Sequence, residues 1–146
     1  MKKIITESES DTEKIGAIFA KNLPDGTVVA LHGELGVGKT AFVRGMALGL
    51  GIECRVTSPT FTIVNEYVGE RILIHFDMYR IHNSDELFDI GWEDYLRRNA
   101  ICVVEWSENV PGAFDGDEIK IFFKRMSDNE RLIAIMEPAN KKSRLK

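Results

Sequence analysis

The segment Gly33-Glu34-Leu35-Gly36-Val37-Gly38-Lys39-Thr40 fits the pattern G-x-x-x-x-G-K-[ST]. At that spacing, successive backbone N–H groups wrap the phosphates of a nucleotide. Each residue type has a task in that chemistry. The glycines let the chain turn sharply and approach the anion closely, and a following helix directs its positive end at the phosphates. Lys39 neutralises the β and γ oxygens, and the Thr40 hydroxyl is a ligand for Mg²⁺. The competing reading is an ordinary glycine-rich turn, and placement of the segment between a buried strand and a helix argues against it.

A triphosphate site needs a further acid at the C-terminal end of a neighbouring apolar strand to hold Mg²⁺ or its water. Two runs qualify: Ile72-Leu73-Ile74-His75-Phe76-Asp77 and Ile101-Cys102-Val103-Val104-Glu105. The second is more uniformly apolar, as a buried parallel strand should be, so Glu105 is assigned to the metal. Asp77, read as the end of an antiparallel strand, is then the candidate for orienting or deprotonating the attacking water. Either acid alone also reads as a solvated strand terminus.

Ser58-Pro59-Thr60-Phe61-Thr62 follows the phosphate-loop helix, where many such proteins carry a switch segment that senses the γ-phosphate. A plain turn leading into a strand is the alternative. Arg80, just past Asp77, suits stabilisation of transition-state charge, although an isolated loop arginine is more often a surface ion-pair partner. Trp106 beside Glu105 suits either a cover for the nucleotide or a core position. His32 and His75 read as packed or hydrogen-bonded rather than catalytic, and His82 as a loop residue in solvent.

These side chains need a scaffold. Ser10-x-x-Glu13 has the form of a capping box, with Ile15, Ile18 and Phe19 following at helical spacing, which predicts a helix over 11–22. Val28 to Leu31 is apolar on both faces and predicts a central strand. After the glycine-rich loop, Phe42, Val43, Met46, Ala47 and Leu50 recur with a helical period up to Gly51. Phe61 to Val68 and Arg71 to Asp77 predict an antiparallel hairpin turning at Gly69-Glu70. Short helical stretches are expected near 82–88 and 92–98. Ile101 to Glu105 predicts another strand, and Glu118 to Phe123 with Arg131 to Met136 two late ones around Ser127 to Glu130. The resulting expectation is an α/β fold, a three-layer sandwich of the phosphate-loop NTPase kind with a mixed, mostly parallel sheet.

Length and composition agree. The 146 residues suit one domain, placed at 1–138, and Lys141, Lys142, Arg144 and Lys146 form a basic tail over 139–146 that is expected to be flexible. A hydrophobic share of 44% excludes general disorder. The net charge of −4 argues against nucleic-acid binding by bulk charge. Thr6 to Lys14 is polar where a secretory signal needs an apolar stretch, and no apolar run is long enough to cross a bilayer. Cys54 and Cys102 belong to no metal pattern. A cytoplasmic protein with reduced thiols is therefore expected.

Four segments together carry a more specific likeness: GELGVGKTAFVRG from Gly33 to Gly45, SPTFTIVNEY from Ser58 to Tyr67, HFDMYR from His75 to Arg80, and VVEWSE from Val103 to Glu108. In order and spacing the chain resembles the TsaE family, small bacterial phosphate-loop ATPases needed for the threonylcarbamoyl modification of an adenosine in tRNAs. The resemblance implies ATP on Gly33 to Thr40, Mg²⁺ on Thr40 and Glu105, and an active-site acid at Asp77. It implies a nucleotide-sensing switch at Ser58 to Thr62, with Trp106 and Arg80 on the same functional surface. It also implies an ATPase that is slow alone and acts with TsaB and TsaD, resetting the complex that transfers the threonylcarbamoyl group, so that contact with tRNA is indirect. The chain departs from the family's commoner residues at Glu34, Val37 and Ala41. Contacts at these loop positions are mainly backbone, so nucleotide binding is expected to survive.

Two rival functions use the same loop. A small-molecule kinase would need to hold an acceptor and exclude water, yet no long Arg-rich lid insertion is seen. A non-hydrolysing scaffold differs from a slow ATPase only in turnover. A GTPase reading lacks its guanine motif, since Asn140-Lys141-Lys142-Ser143 has no aspartate.

Overall fold

A computed structural model describes residues 1–34, 37–53, 56, 57, 59, 63–114 and 116–138. Leu35, Gly36, Cys54, Ser58, Thr60, Thr62 and the 139–146 tail lie outside the described residues. The elements run β1 (Lys2–Thr6), α1 (Glu9–Lys21), β2 (Val28–His32), α2 (Lys39–Gly49), β3 (Val64–Val68), β4 (Ile72–Asp77), α3 (Ser84–Asp89), α4 (Trp92–Leu96), β5 (Ile101–Glu105), β6 (Ile119–Arg125) and β7 (Arg131–Met136). Two single-turn 3₁₀ segments, Ser107–Asn109 and Pro111–Ala113, follow β5.

The strands form one sheet in the order β1-β7-β6-β2-β5-β4-β3. Its central four strands are parallel and its flanks antiparallel. Alternation along the strands sorts the core into two layers. Leu73, Ile101, Val103, Val29, Leu31, Ile119 and Ile121 face α1 and α2, packing with Phe42, Val43 and Met46. Ile74, Phe76, Cys102 and Val104 face the other way, against Leu87, Trp92 and Val110. The expected three-layer α/β sandwich with a mixed sheet is what forms. Both hairpins, the expected β3–β4 and β6–β7, and the added β1 pair antiparallel around the parallel centre.

Helix α1 begins earlier than its predicted boundary. Ser8, not Ser10, is the cap, its hydroxyl accepting from the Asp11 N–H at 3.0 Å. Asp11 reaches back to accept from the Glu7 N–H at 3.1 Å, so Ser8-x-x-Asp11 plays the part assigned to Ser10-x-x-Glu13. Helices α1 and α2 then touch backbone to backbone. A Cβ on Gly45 would stand 2.0 Å from the Glu13 carbonyl oxygen, and one on Gly16 would stand 2.3 Å from that of Phe42. Glycine therefore sits inside both helices despite its cost of about 1 kcal/mol against alanine, and the contact draws the start of α1 alongside α2. Strand β1, which hydropathy did not announce, completes the far edge by pairing along β7 from Lys2↔Ile135 to Thr6↔Arg131. No helix among the described residues is long and apolar enough to cross a membrane.

Candidate functional site

Strand β2 ends at His32, and α2 begins at Lys39. Gly38 caps that helix with φ 104, a left-handed conformation that glycine adopts without steric penalty. Having no side chain, it leaves the first-turn N–H groups of α2 directed outward, where an anion is favoured. Gly33 is needed for space: a Cβ there would lie 2.9 Å from Val37 Cγ1 and 3.0 Å from the Phe123 carbonyl. Lys39 is buried, and its ammonium donates to the Gly33 carbonyl at 2.7 Å, bridging the two ends of the loop.

The two acids stand side by side. Strands β4 and β5 are parallel with Asp77 opposite Glu105, so both carboxylates leave the same end and the same face of the sheet, that of α2. This alters one step of the sequence argument. β4 is antiparallel to β3 but parallel to β5 and as deeply buried, so strand direction does not separate the roles of the two acids. Their surroundings do. Glu105 Oε1 lies 3.8 Å from Lys39 Nζ, and Glu105 Oε2 lies 2.6 Å from His75 Nε2. Asp77 Oδ1 accepts from the Tyr79 N–H at 2.9 Å. Both acids are buried, at 4% and 5% exposure, which for charged groups demands partners or a ligand.

Two residues in left-handed backbone flank this pair. Trp106 (φ 61) directly follows Glu105; its ring lies 4.8 Å from Lys39 Nζ and meets Tyr79 edge-on at 5.1 Å. Ile63 (φ 70) donates its N–H to the Pro59 carbonyl and accepts from the Asp77 N–H, both at 2.7 Å. A β-branched residue in that region costs on the order of 1–3 kcal/mol and marks a held conformation. Pro59, the described part of the predicted switch, is thus two hydrogen bonds from the backbone of Asp77.

A cleft of about 400 Å³ collects these groups. Gly38, Lys39, Thr40 and Ala41 form one wall and Asp77, Glu105 and Trp106 another. The cleft continues to Ser8, Glu9 and Thr12 at the start of α1, and to Asp128, Asn129 and Arg131 in the β6–β7 turn and the start of β7. Of the residues singled out from sequence, Lys39, Thr40, Asp77, Glu105 and Trp106 therefore meet in one place. Gly33 lies at the loop's entry, Glu34 is exposed and Val37 is buried against the core. Arg80 is exposed and does not line the cleft. The α1 end and the β6–β7 turn were missed, because a cap and a polar turn carry no ligand signature of their own. Their place beside the loop follows only from β6 pairing with β2 and from α1 packing on α2.

The donor set fits a magnesium nucleotide. A hydroxyl and two carboxylates are the hard oxygen ligands Mg²⁺ takes, and a lysine beside uncapped helix N–H groups suits phosphate. Comparisons with known proteins point to one family. A sequence model of the threonylcarbamoyl adenosine biosynthesis protein TsaE matches residues 6–133. The chain is 38% identical to the tRNA threonylcarbamoyladenosine biosynthesis protein TsaE of Treponema pallidum, over 91% of this chain and 98% of that one. With the Bacillus subtilis protein of the same name it shares 37% identity over 93% of this chain and 85% of the relative. The crystal structure of Bacillus subtilis YdiB superposes with a TM-score of 0.83 at 33% identity, covering 97% of this chain and 88% of that one.

Proposed function

The chain belongs to the TsaE family, and on that premise we propose that it is a Mg²⁺-dependent ATPase serving the threonylcarbamoyl modification of tRNA together with TsaB and TsaD. One observation carries the reading: Lys39, Thr40, Asp77 and Glu105, from three separate elements, line a single cleft at the start of α2. The N–H groups of the glycine-rich loop and the Lys39 ammonium bind the phosphates. Thr40 and Glu105 are the residues that would hold Mg²⁺, which would supply neutralisation of the phosphoryl charge there. Asp77, its Oδ1 engaged by the Tyr79 N–H, orients the attacking water and takes its proton. The extension of the cleft toward Ser8 and Arg131 receives the nucleoside end.

Hydrolysis in this reading resets the partner complex between turnovers. That requires TsaB and TsaD to bind the ATP and ADP states with different affinity, since a ligand equally welcome in both states shifts nothing. Ile63, bonded to the Asp77 N–H, and Trp106, beside Lys39, would communicate the phosphate state, with Pro59 linked to Asp77 through Ile63. The test is steady-state ATP turnover with Mg²⁺, alone and with TsaB and TsaD added, using Lys39→Ala as the blank. Slow turnover raised strongly by the partners is the expected result. Turnover that is fast alone and indifferent to them overturns the assignment and points to an acceptor substrate.

A further inference from the structure

We infer that His75 is a positioning residue for the metal site: through one hydrogen bond it fixes the Glu105 carboxylate so that Oε1 faces the cleft. The inference rests on the proposed role of Glu105. Residues 73, 75 and 77 of β4 point to the α2 face together with 101, 103 and 105 of β5, and the parallel register sets His75 opposite Val103. His75 therefore lies one step behind the acids, diagonal to Glu105, with no exposure to solvent. Its Nε2 is 2.6 Å from Glu105 Oε2. A carboxylate only accepts, so Nε2 carries the hydrogen and donates.

The other ring nitrogen indicates that the imidazole is there for its Nε2 contact. Nδ1 is buried and has no hydrogen-bond partner among the described residues. With Nε2 carrying the hydrogen, Nδ1 is an acceptor left unpaired among the described residues, on the sheet face that also carries Leu73 and Val103. An apolar residue would remove that penalty but leave the buried Glu105 Oε2 without its donor, so the histidine is kept for the carboxylate and not for its own packing. What the imidazole provides is direction. With Oε2 tied down, Oε1 is left toward Lys39 Nζ at 3.8 Å and toward the cleft that Glu105 lines. A donor bonded to the far oxygen of a ligating carboxylate orients it, and loss of such a donor typically lowers metal affinity ten- to a hundredfold.

The test compares two amides of similar polarity. Glutamine can place its Nε2 where that of His75 stands, whereas asparagine is too short to reach Glu105. Mn²⁺ serves as probe: its affinity for the ADP-bound protein is read from free Mn²⁺ by paramagnetic resonance, and ADP affinity in EDTA is measured by calorimetry. His75→Asn is expected to lower Mn²⁺ affinity by roughly ten- to a hundredfold while leaving metal-free ADP binding within about twofold, and His75→Gln to restore most of the loss. In a Glu105→Gln background, His75→Asn should then have no further effect on Mn²⁺. Equal Mn²⁺ affinity in all three His75 forms overturns the inference, as does a parallel loss of metal-free ADP binding, which marks a role in packing alone. If the unmodified protein shows no metal-dependent ADP binding, the reading of the whole site fails, and the inference with it.

Discussion

Lys39 Nζ and Glu105 Oε1 face each other at 3.8 Å with both side chains almost wholly withdrawn from solvent, and the same ammonium donates to the Gly33 carbonyl at 2.7 Å. The lysine thus spans the three parts of the proposed site: the entry of the loop, the helix it opens and the acid of the next strand. Charge-assisted hydrogen bonds contribute about 1.5–3 kcal/mol each, so Lys39→Ala should weaken ATP affinity by at least about tenfold. Calorimetric titration checks this, and unaltered affinity would remove the loop from the phosphates.

Asp77 separates an ATPase from a nucleotide-dependent scaffold. It lines the cleft and accepts from the Tyr79 N–H. Asp77→Asn keeps an acceptor for that N–H and loses the ability to take a proton. ATP affinity should stay within about threefold, while turnover falls on the order of 10²–10⁴, the usual worth of a positioned acid or base. Single-turnover kinetics with partner proteins present give the decisive comparison, and undiminished turnover would assign the base elsewhere.

Much of this site is legible in the sequence because its signals are local. Val28–Leu31, the loop and the period of Phe42, Met46 and Leu50 each fix an element from within a dozen residues, and two apolar strands ending in acids mark where a metal ligand belongs. What sequence does not show is decided by pairing. Ile4 and Ile5 are too few to announce β1, which exists because β7 offers it an edge. The capping box read at Ser10 gives way to Ser8, where the Thr6 and Thr12 hydroxyls bond at 2.8 Å and Gly16 meets Phe42. His75 and Glu105 are thirty positions apart, and only the β4–β5 register brings them together.

The glycine contact between α1 and α2 predicts a stability effect. Gly45→Ala drives a methyl into the Glu13 backbone, 2.0 Å from its oxygen, where no side chain can yield. Overpacking of this kind costs about 1–3 kcal/mol and occasionally more. Gly112→Ala, which meets nothing within 4 Å, is the control and should be nearly neutral. Urea unfolding midpoints check both. Since Ser8, Glu9 and Thr12 line the cleft, displacement of α1 should also weaken nucleotide binding in the first variant only.

Cys102 tests the second core layer. Its thiol is buried between β2 and β4 among Ile74, Phe76 and Val104, and that burial pushes its pKa up to about 12, opposed only weakly by Arg98. A thiol neutral at pH 8 is a poor nucleophile. In a Cys54→Ser background the folded protein should react with Ellman's reagent only as fast as it unfolds, and fully in guanidinium chloride. The sign of the pH effect follows: with the folded pKa raised, the contribution to stability is fully present below the ordinary thiol value of about 8.5 and is lost as pH climbs toward 12. Rapid labelling of the native state at pH 8 would contradict the packing described.

Trp106 should report on nucleotide binding, and the reason lies in where Lys39 must go. In the structure its ammonium is bonded to Gly33 and lies 4.8 Å from the centre of the indole. To neutralise phosphate oxygens it has to exchange that carbonyl for the anion, which changes the charge directly beside the ring. The ring itself is held by its left-handed backbone and by Tyr79 at 5.1 Å, so the change in field is not averaged away by motion of the side chain. Trp92, the other indole, is buried against Phe76 and Phe114 on the opposite face of the sheet and would dilute the signal. In a Trp92→Phe background, saturating ATP with Mg²⁺ should therefore shift or quench the emission of Trp106, and Lys39→Ala should remove the response at concentrations that saturate the parent. Unchanged emission at a saturation verified by calorimetry would mean that Trp106 and the phosphates do not share Lys39.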